Sequence, residues 1–431
     1  MADFMQRRAA VASFAALLVA ACTSGSTADE EATPPQVGAG AGSGLSSRAS
    51  ARLQVLHDNL IRFRRDLHRH PEISGQEVRT AARIAERAER LGFNVRRNVG
   101  GHGVVAVLQG GRPGPAVAFR ADMDAMPSDA ADPVDFDSEN PGIRHICGHD
   151  IHATIGVALA EAFAAIRQDL PGTVVLVFQP AEENITGARL MIEAGALQDP
   201  RPNAIFAYHT APYEVGQIAY SETTLMGARD QVTATVTGGQ RTRELASALR
   251  ERIIALGNIF SLTALQPIGS DFIWAGGGQA TLGPAGAWLV NVNFSLATDA
   301  ARARLREGID QAVADVTRSA PSHRIDIDYR ARWAPGVNND AELVRRAAAS
   351  IRAELGDAAL VQVRNILPAF SEDFGHMQTG VPGAMFFLGV SNESRGWEGL
   401  PHSPNYVADE EAIFVGARAM VRIMLDYLAT G

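Results

Sequence analysis

The chain has 431 residues, of which 46% are hydrophobic, and its formal net charge is -9. This length and apolar content allow a large core and predict two folded units rather than one. The charge is small for the length and no basic run is present, which argues against a nucleic-acid-binding surface. The sequence contains no lysine. Schiff-base catalysis, lysine-dependent phosphate loops and Ser-x-x-Lys acyl enzymes are therefore excluded.

The N-terminus has the pattern of a bacterial export signal. Arg7 and Arg8 precede an apolar run over residues 9–21, and Cys22 follows two alanines. The run is shorter than the about 20 residues that a membrane span needs. We therefore expect residues 1–22 to be a signal peptide with a lipobox, so that lipidation at Cys22 anchors an exported, periplasmic lipoprotein to the membrane. An ordinary signal peptide and twin-arginine export remain alternatives.

The segment that follows has a different composition. Residues 23–50 are rich in Ser, Gly, Ala, Pro and acidic residues, which predicts a flexible linker and folded structure from about Ala51. Cys22 and Cys147 are the only cysteines. A disulfide framework is not expected.

The folded part begins with two segments of helical periodicity, residues 53–67 and 78–91, the second closed by Gly92. Short apolar runs then alternate with helical patterns. The predicted strands are residues 104–107, 116–119, 174–178, 204–207 and 384–388, and the predicted helices are residues 153–166, 188–193 and 410–428. This alternation predicts a three-layer α/β domain with a mostly parallel sheet.

The pattern changes between residues 227 and 334. Strand-like segments cover residues 231–236, 287–294 and 324–329, and helical patterns cover residues 241–256 and 301–317. The first pattern resumes with a helix after Asp340. We therefore expect a catalytic domain made of residues 51–226 and 335–431, interrupted by a small α+β lid over residues 227–334.

The strongest local signal is a dense group of polar residues just before a predicted helix. Cys147, His149, Asp150 and His152 fall within six residues. Residues two apart in a loop can face one ion, and a metal lowers the pKa of the thiol so that cysteine binds as thiolate. The alternative is a buried cysteine beside helix-capping polar groups.

Further metal-binding residue types follow the predicted strands. Glu182 and Glu183 come after the strand at 174–178, His209 comes after the strand at 204–207, and His402 follows Pro401 near the C-terminus. Ligands in open α/β sheets bind at the carboxyl ends of strands. The two glutamates could instead mark a solvated helix N-terminus. Together these residues are typical of a two-metal hydrolytic site, because each metal needs three or four ligands.

Six short motifs occur in order along the chain. They are Arg-His-Pro-Glu at 69–72, Arg-Ala-Asp-Met-Asp-Ala-Met-Pro at 120–127, Cys-Gly-His-Asp at 147–150, Phe-Gln-Pro-Ala-Glu-Glu at 178–183, Ser-Glu-Asp-Phe at 371–374 and Pro-His at 401–402. Together they resemble the aminoacylase and carboxypeptidase family of dinuclear amidohydrolases. The branch they resemble contains hippurate hydrolases, auxin-conjugate hydrolases and N-acetyl-diaminopimelate deacetylases. The resemblance runs from about Leu53 to Tyr427 and is weak only in the lid.

The resemblance implies a centre with two divalent ions, which could be zinc, manganese, cobalt or nickel. Cys147 would contact both ions, and His149, Glu183, His209 and His402 would complete the two coordination shells. The implied reaction is hydrolysis of the amide bond of an N-acyl amino acid or a small peptide.

The resemblance also implies roles for three neighbouring residues. Glu182 would be the general base, which takes a proton from the attacking water and passes it to the leaving amine. Asp122 and His152 would orient the metal ligands, although each could equally be a satisfied polar residue at a turn.

The lid departs from the family pattern. Family members carry a Gly-x-x-His-x-x-x-Pro segment whose histidine reaches a substrate carbonyl, generally in the partner subunit. This chain has Gly-Gly-Gln-Arg-Thr-Arg at 238–243 and no histidine between His209 and His323. A later family segment, Asn-Val-Ile-Pro and a strand ending in Arg, reads Trp-Leu-Val-Asn at 288–291 and Phe-Ser-Leu at 294–296.

The altered lid leaves two functional hypotheses. In the first, the protein is an active hydrolase, and Gln240, Arg241 or Arg243 replaces the missing group. In the second, it is a metal- or ligand-binding lipoprotein with weakened or absent turnover. The lid could also form a homodimer, as it does in the family.

Overall fold

The computed structural model describes residues 42–430. The expected signal peptide, its lipobox at Cys22 and the expected linker up to residue 41 lie outside the described residues. Within residues 42–430, none of the helices combines the length and the apolar character of a membrane span.

The described residues form ten α-helices and nineteen strands. The helices are α1 (Gly42–Val55), α2 (His57–Arg69), α3 (Val78–Arg90), α4 (His149–Ala165), α5 (Gly187–Glu193), α6 (Thr242–Ile254), α7 (Asp299–Ser319), α8 (Ala341–Leu355), α9 (Gly375–Gln378) and α10 (Glu411–Thr430). The strands are β1 (Asn94–Arg96), β2 (Val104–Gln109), β3 (Arg112–Asp122), β4 (Met126–Pro127), β5 (Ile143–Arg144), β6 (Pro171–Gln179), β7 (Ala204–Glu214), β8 (Ile218–Tyr220), β9 (Thr224–Met226), β10 (Ala228–Thr237), β11 (Gln266–Pro267), β12 (Ile273–Gly276), β13 (Thr281–Leu282), β14 (Trp288–Leu296), β15 (Arg324–Ala334), β16 (Val337–Asn338), β17 (Leu360–Gln362), β18 (Asn365–Ile366) and β19 (Gly383–Ser391).

The chain divides into two compact units. The smaller unit comprises Thr223–Asn338 and Arg364–Gly375, and the larger unit comprises the remaining described residues. The segment Arg364–Gly375 was expected in the catalytic domain, and it carries the Ser-Glu-Asp-Phe motif. It belongs to the smaller unit because β18 pairs with β11 in an antiparallel ribbon.

The larger unit is built on an eight-stranded sheet in the order β1-β2-β6-β3-β7-β19-β8-β17. The four central strands, β6, β3, β7 and β19, run parallel to one another. Successive side chains of a strand project to opposite faces of the sheet, and Val174, Val175 and Leu176 of β6 are all fully buried. Both faces of the sheet are therefore covered. This arrangement confirms the expected α/β fold with a mostly parallel sheet.

Helical structure is already present in the described residues before the expected start at Ala51. Helix α1 starts at Gly42, inside the segment predicted to be a linker. Leu45, Ala49 and Leu53 recur every four residues and pack into the core of the larger unit, so they form an apolar stripe on one face of the helix. The helix expected over residues 53–67 is divided at Leu56, where α1 ends and α2 begins.

Two elements that carry site residues are longer than predicted. Helix α4 was expected from Ala153 and begins at His149 instead. Strand β7 was expected to end at Ala207 and continues to Glu214. Its pairing with β3 ends at Ala207, whereas its pairing with β19 continues to Glu214. His209 therefore lies within a strand and not in the loop after it.

The smaller unit is an antiparallel sheet in the order β12-β14-β10-β15, with β13 also paired to β14. Its core is made of alternate residues of the strands, such as Val232, Val292 and Phe294, packed against Leu249 of α6 and Leu305 of α7. The strand residues that alternate with these core residues project to the other face of the sheet.

Candidate metal centre

Four elements of the larger unit, β3, β6, α4 and β7, and the loops beside them bring the predicted site residues together. Asp122 is the last residue of β3 and lies beside Gln179, the last residue of β6, in the parallel register. Glu182 and Glu183 follow β6, and the other elements contribute Cys147, His149, His152, His209 and His402. The site thus lies at the carboxyl edge of the parallel strands, where open α/β sheets bind their ligands.

The turn before α4 requires glycine. Gly148 has a φ of 85°, and a Cβ at this position would lie 2.2 Å from Oη of Tyr406 and 2.7 Å from Oγ1 of Thr210. Only glycine combines this left-handed conformation with so close an approach. The turn lets Cys147, just before it, and His149, the first residue of α4, face the same centre.

Two of the groups of possible ligand atoms overlap at Cys147. Sγ of Cys147 lies 3.5 Å from Nε2 of His209, and Nε2 of His402 lies 3.3 Å from Oε1 of Glu183. The groups are Cys147, His149 and His209, and Cys147, Glu183 and His402, each with its ligand atoms within 4.8 Å of one another. Cys147 is common to both groups.

Hydrogen bonds fix which nitrogen each histidine presents to the centre. His149 donates from Nδ1 to the backbone oxygen of Asp124 at 3.0 Å. His209 donates from Nδ1 to the backbone oxygen of Thr210 at 2.8 Å. Both rings therefore direct Nε2, and not Nδ1, toward the centre, as metal-binding histidines do.

Asp124 is a supporting residue that the sequence interpretation passed over. Its Oδ1 lies 3.1 Å from Nδ1 of His149, and its Oδ2 accepts from the backbone N–H of Glu183 at 3.0 Å and from Oγ of Ser74 at 2.7 Å. One carboxylate thus braces two candidate ligands. The signal was present in the motif at 120–127, which contains both Asp122 and Asp124.

Asp122 and His152 form a second support. His152 accepts from the N–H of Thr210 at 2.9 Å and donates from Nδ1 to Oδ1 of Asp122 at 2.5 Å. Arg120 donates to the other oxygen of Asp122 at 2.7 Å. Both nitrogens of His152 are therefore engaged with protein groups, while Asp122 lies 3.8 Å from Nε2 of His149.

The loop with His402 is tied to the segment that carries Cys147. His402 has a φ of 63°, a left-handed conformation that is uncommon for a residue other than glycine. Its backbone N–H donates to the oxygen of Ile146 at 2.8 Å. Because Ile146 directly precedes Cys147, this hydrogen bond holds His402 beside the segment that carries Cys147.

The electrostatics of the centre favour a bound cation. Burial alone would lower the pKa of His149, but the carboxylates of Asp122 and Asp124 raise it to about 10. Burial together with Glu183 and Glu182 raises the pKa of the Cys147 thiol well above its usual range. A divalent cation would reverse that second effect, because it stabilises the thiolate.

Two buried polar atoms at the centre make no hydrogen bond of good geometry to the described residues. They are Nε2 of His149 and Oε1 of Glu183, the second of which lies 3.3 Å from Nε2 of His402. Buried polar atoms are rarely left without a partner, and sulfur, imidazole and carboxylate ligands together suit a divalent transition metal. The residues present therefore fit a metal centre.

The lid residues proposed as replacements are placed differently from one another. Arg241 is exposed and ion-paired with Glu244 at 3.1 Å, and Arg243 lies over the ring of Trp288. His323 is distant from this loop in sequence but lies against it in space, with Nε2 at 3.2 Å from the backbone oxygen of Gln240. Sequence patterns did not predict that contact, which arises because β15 pairs with β10 at this end.

Comparisons with known proteins point to one family. Residues 118–426 match the model of peptidase family M20/M25/M40. The chain is 31% identical to IAA-amino acid hydrolase ILR1-like 6 of Arabidopsis thaliana, with 88% of this chain and 82% of that protein covered. It is 30% identical to N-acetylcysteine deacetylase of Bacillus subtilis, with 88% and 99% covered.

A solved structure supports the same relationship. The YXEP protein of Bacillus subtilis, described as a dinuclear metal-binding peptidase from the M20 family, is 27% identical to this chain. The two structures superpose with a TM-score of 0.75, covering 88% of this chain and 100% of that one.

Proposed function

The chain belongs to peptidase family M20/M25/M40 and is a metal-dependent hydrolase, and we propose that it cleaves the amide bond of N-acyl amino acids or small peptides. The observation that carries this proposal is the pair of ligand groups that share the buried Cys147. Relatives named for amino acid conjugates, an IAA-amino acid hydrolase and an N-acetylcysteine deacetylase, support the substrate class.

We propose that the two ligand groups hold one divalent ion each, with Cys147 contributing to both. His149 and His209 would complete one shell, and Glu183 and His402 the other. Divalent cations bound there would polarise the amide carbonyl and make a bound water more acidic. The protein fixes the imidazoles in the required tautomer through Asp124 and Thr210.

We propose that Glu182 is the general base. It is buried, and its Oε2 lies 3.7 Å from Nε2 of His149. It shares a group of possible ligand atoms with His149 and Glu183 but belongs to neither group that contains Cys147. A carboxylate beside the ions but not bound to them can take the proton of the attacking water and pass it to the leaving amine. Glu183 is less suited to that task, because its Oε1 lies 3.3 Å from His402 within a ligand group.

The test is a turnover assay on purified protein loaded with zinc, manganese, cobalt or nickel. A panel of N-acyl amino acids and dipeptides should contain substrates whose amide bond is cleaved. Chelation should abolish the activity, and readdition of metal should restore it. Protein that binds its ions and cleaves no member of the panel would contradict the proposal and favour the ligand-binding hypothesis.

We further propose that the protein is exported and lipidated at Cys22, from the sequence at residues 7–22 alone. Replacement Cys22→Ser should release the protein from the membrane fraction. Unchanged fractionation, with no acyl mass on the mature N-terminus, would contradict lipidation.

A further inference from the structure

Glu77 lies directly before α3, but its side chain does not cap that helix. Acidic side chains at a helix N-terminus often accept from the free N–H groups of the first turn. Here Glu72 performs that task, because its two carboxylate oxygens accept from the N–H groups of Arg79 and Thr80 at 2.9 and 2.8 Å. Glu77 is nonetheless fully buried. A buried carboxylate is costly unless it is hydrogen-bonded, so its position calls for another explanation.

The carboxylate of Glu77 reaches the turn that carries the two glutamates of the centre. Its Oε1 accepts from the backbone N–H of Ala181 at 2.8 Å and from that of Gly75 at 2.6 Å. Ala181 directly precedes Glu182 and lies 104 residues from Glu77 along the chain. The hydrogen bond therefore ties the start of α3 to the turn at 180–183.

Ala181 has a backbone conformation that alanine disfavours. Its φ is 54°, in the left-handed region that glycine adopts readily and other residues seldom do. Its carbonyl oxygen accepts from the N–H groups of Thr186 and Gly187 at 3.3 and 3.1 Å, and its N–H donates to Glu77. A left-handed residue other than glycine persists only where its surroundings hold it. The direction in which the chain leaves Ala181 sets where the next side chain, that of Glu182, can lie.

We propose that Glu77 is a positioning residue, which holds the left-handed turn at Ala181 and thereby aims the carboxylate of Glu182 at the centre. This inference rests on the proposed function, in which Glu182 is the general base. A base must lie within hydrogen-bond reach of the proton that it removes. A misplacement of about 1 Å can therefore lower turnover by about 10²-fold, even when its cause lies outside the reacting groups.

The first experiment measures position without turnover. Glu77→Met removes both acceptor oxygens and keeps a side chain of similar length. Crystal structures of the wild type and the variant, both loaded with metal, should show residue 181 outside the left-handed region in the variant. The carboxylate of Glu182 should be displaced by about 1 Å or more. An unmoved turn would overturn the inference, and a lower melting temperature together with an unmoved turn would assign Glu77 a structural role alone.

The second experiment measures turnover on a confirmed substrate. In Glu77→Met, kcat should fall by about 10- to 100-fold while KM and metal content stay near the wild-type values. Glu86→Met is the matched control, because Glu86 is an exposed glutamate of α3 that lies 4.0 Å from Arg90. Its kcat should equal that of the wild type. A loss of activity in Glu77→Met that excess metal restores would place the effect on the ligands and overturn the inference.

A third experiment uses Ala181→Gly, whose effect a general loss of stability would not reproduce. Glycine adopts the left-handed conformation without the steric cost of a Cβ, so the turn should depend less on Glu77. Ala181→Gly should raise kcat by about 5-fold or more in the Glu77→Met background and by less in the wild type. Absence of this recovery would overturn the inference.

Glu77→Gln serves if Glu77→Met yields no folded protein. A neutral amide oxygen accepts a weaker hydrogen bond than a carboxylate, so kcat should fall by a smaller factor, about 3- to 10-fold, and Ala181→Gly should again restore it. A Glu77→Gln variant with wild-type kcat and an unmoved turn would overturn the inference.

The outcomes separate this inference from the proposed function. If Glu182 is displaced in Glu77→Met and a confirmed substrate is still cleaved at the wild-type rate, Glu77 positions Glu182 but Glu182 is not the base. If Glu182→Gln abolishes turnover and the turn at Ala181 is unmoved in Glu77→Met, the base assignment stands and the inference is overturned.

Discussion

The metal centre of the larger unit and the sheet face around Arg229 in the smaller unit both contain buried polar atoms that make no hydrogen bond of good geometry to the described residues, but their surroundings differ. At the centre these atoms are Nε2 of His149 and Oε1 of Glu183, which lie among other ligand-type side chains. Around Arg229 they are its own Nε and the hydroxyl of Ser295. The difference teaches that buried polar atoms indicate a metal only where several ligand-type side chains converge, as they do in the larger unit.

The two regions also differ in how firmly they are braced. At the centre, the carboxylate of Asp124 braces both His149 and the backbone of Glu183, whereas the guanidinium of Arg229 is held by one hydrogen bond to a backbone oxygen. We therefore expect the largest effects from substitutions at the centre and the smallest from exposed groups of the smaller unit.

The largest expected effect is that of Cys147→Ala. Because Cys147 belongs to both ligand groups, its loss should remove both ions and lower turnover by at least about 10³-fold. His209→Ala and His402→Ala should each remove one ion. Elemental analysis of the purified variants measures the ion content. A Cys147→Ala protein that keeps both ions would break the assignment of a shared ligand.

Asp124→Asn should have the next largest effect. The amide keeps the size of the side chain but weakens the support of His149 and of the Glu183 backbone, so metal affinity should fall by about 10- to 100-fold. Competition with a chromophoric chelator measures this affinity. Asp129→Asn is the matched control, since Asp129 is an exposed aspartate shortly after Asp124 in the sequence. Equal affinity in the two variants would show that Asp124 is not a support.

Asp132 should make a smaller contribution, to stability and its pH dependence. Burial alone would raise the pKa of Asp132, but hydrogen bonds from His68 and Arg144 lower it to about 2 from 3.8. A carboxyl group with a depressed pKa stabilises the folded state above its unfolded pKa and loses that contribution as pH falls through the folded value. The contribution at neutral pH is roughly 2 kcal/mol.

This contribution can be isolated with Asp132→Asn. Urea unfolding of the metal-free proteins should show the variant less stable at pH 7, and the difference from wild type should shrink as pH falls from about 4 to 2. A constant difference across that range would contradict the assignment. Arg144 also donates to the backbone oxygen of Pro404, near His402, so the same network steadies the loop with this candidate ligand.

The smallest expected effect is that of Arg241→Met. Arg241 lies in the same unit as Arg229, but its side chain is 80% exposed and paired with Glu244. Exposed ion pairs contribute little to stability. Turnover and melting temperature should therefore match the wild type. A clear loss of turnover in this variant would instead give the loop at 238–243 a role in the reaction.

The sequence predicted the parallel sheet well because its central strands are buried on both faces and read as continuous apolar runs, such as residues 174–178. It predicted the wrong start for α4. The first turn of the helix, from His149 to His152, is mostly polar and therefore lacks the apolar periodicity that predicts a helix. Gly148, which directly precedes the helix, offers no side-chain cap. It also missed α1, whose Gly- and Ser-rich composition hides an apolar stripe.

The candidate site residues were found from residue type and position, because Cys, His and Glu at strand ends are an uncommon combination. The sequence did not predict the contacts between segments that lie far apart along the chain. The approach of His323 to the Gln240 loop depends on the pairing of β15 with β10, and the adjacency of Arg229 and Ser295 depends on the register of β10 with β14. Neither register is specified by local pattern, since each follows from the packing of the whole sheet.

The most direct test of the central claim compares Glu182→Gln with Glu183→Gln on a confirmed substrate. Glu182→Gln keeps the side chain's size and removes the proposed base, so turnover should fall by about 10²- to 10⁴-fold while the metal content stays at the wild-type value. Glu183→Gln removes an anionic ligand, so metal affinity should fall first and activity with it. Loss of metal in Glu182→Gln with retention in Glu183→Gln would exchange the two roles, and full activity in both variants would contradict the proposed mechanism.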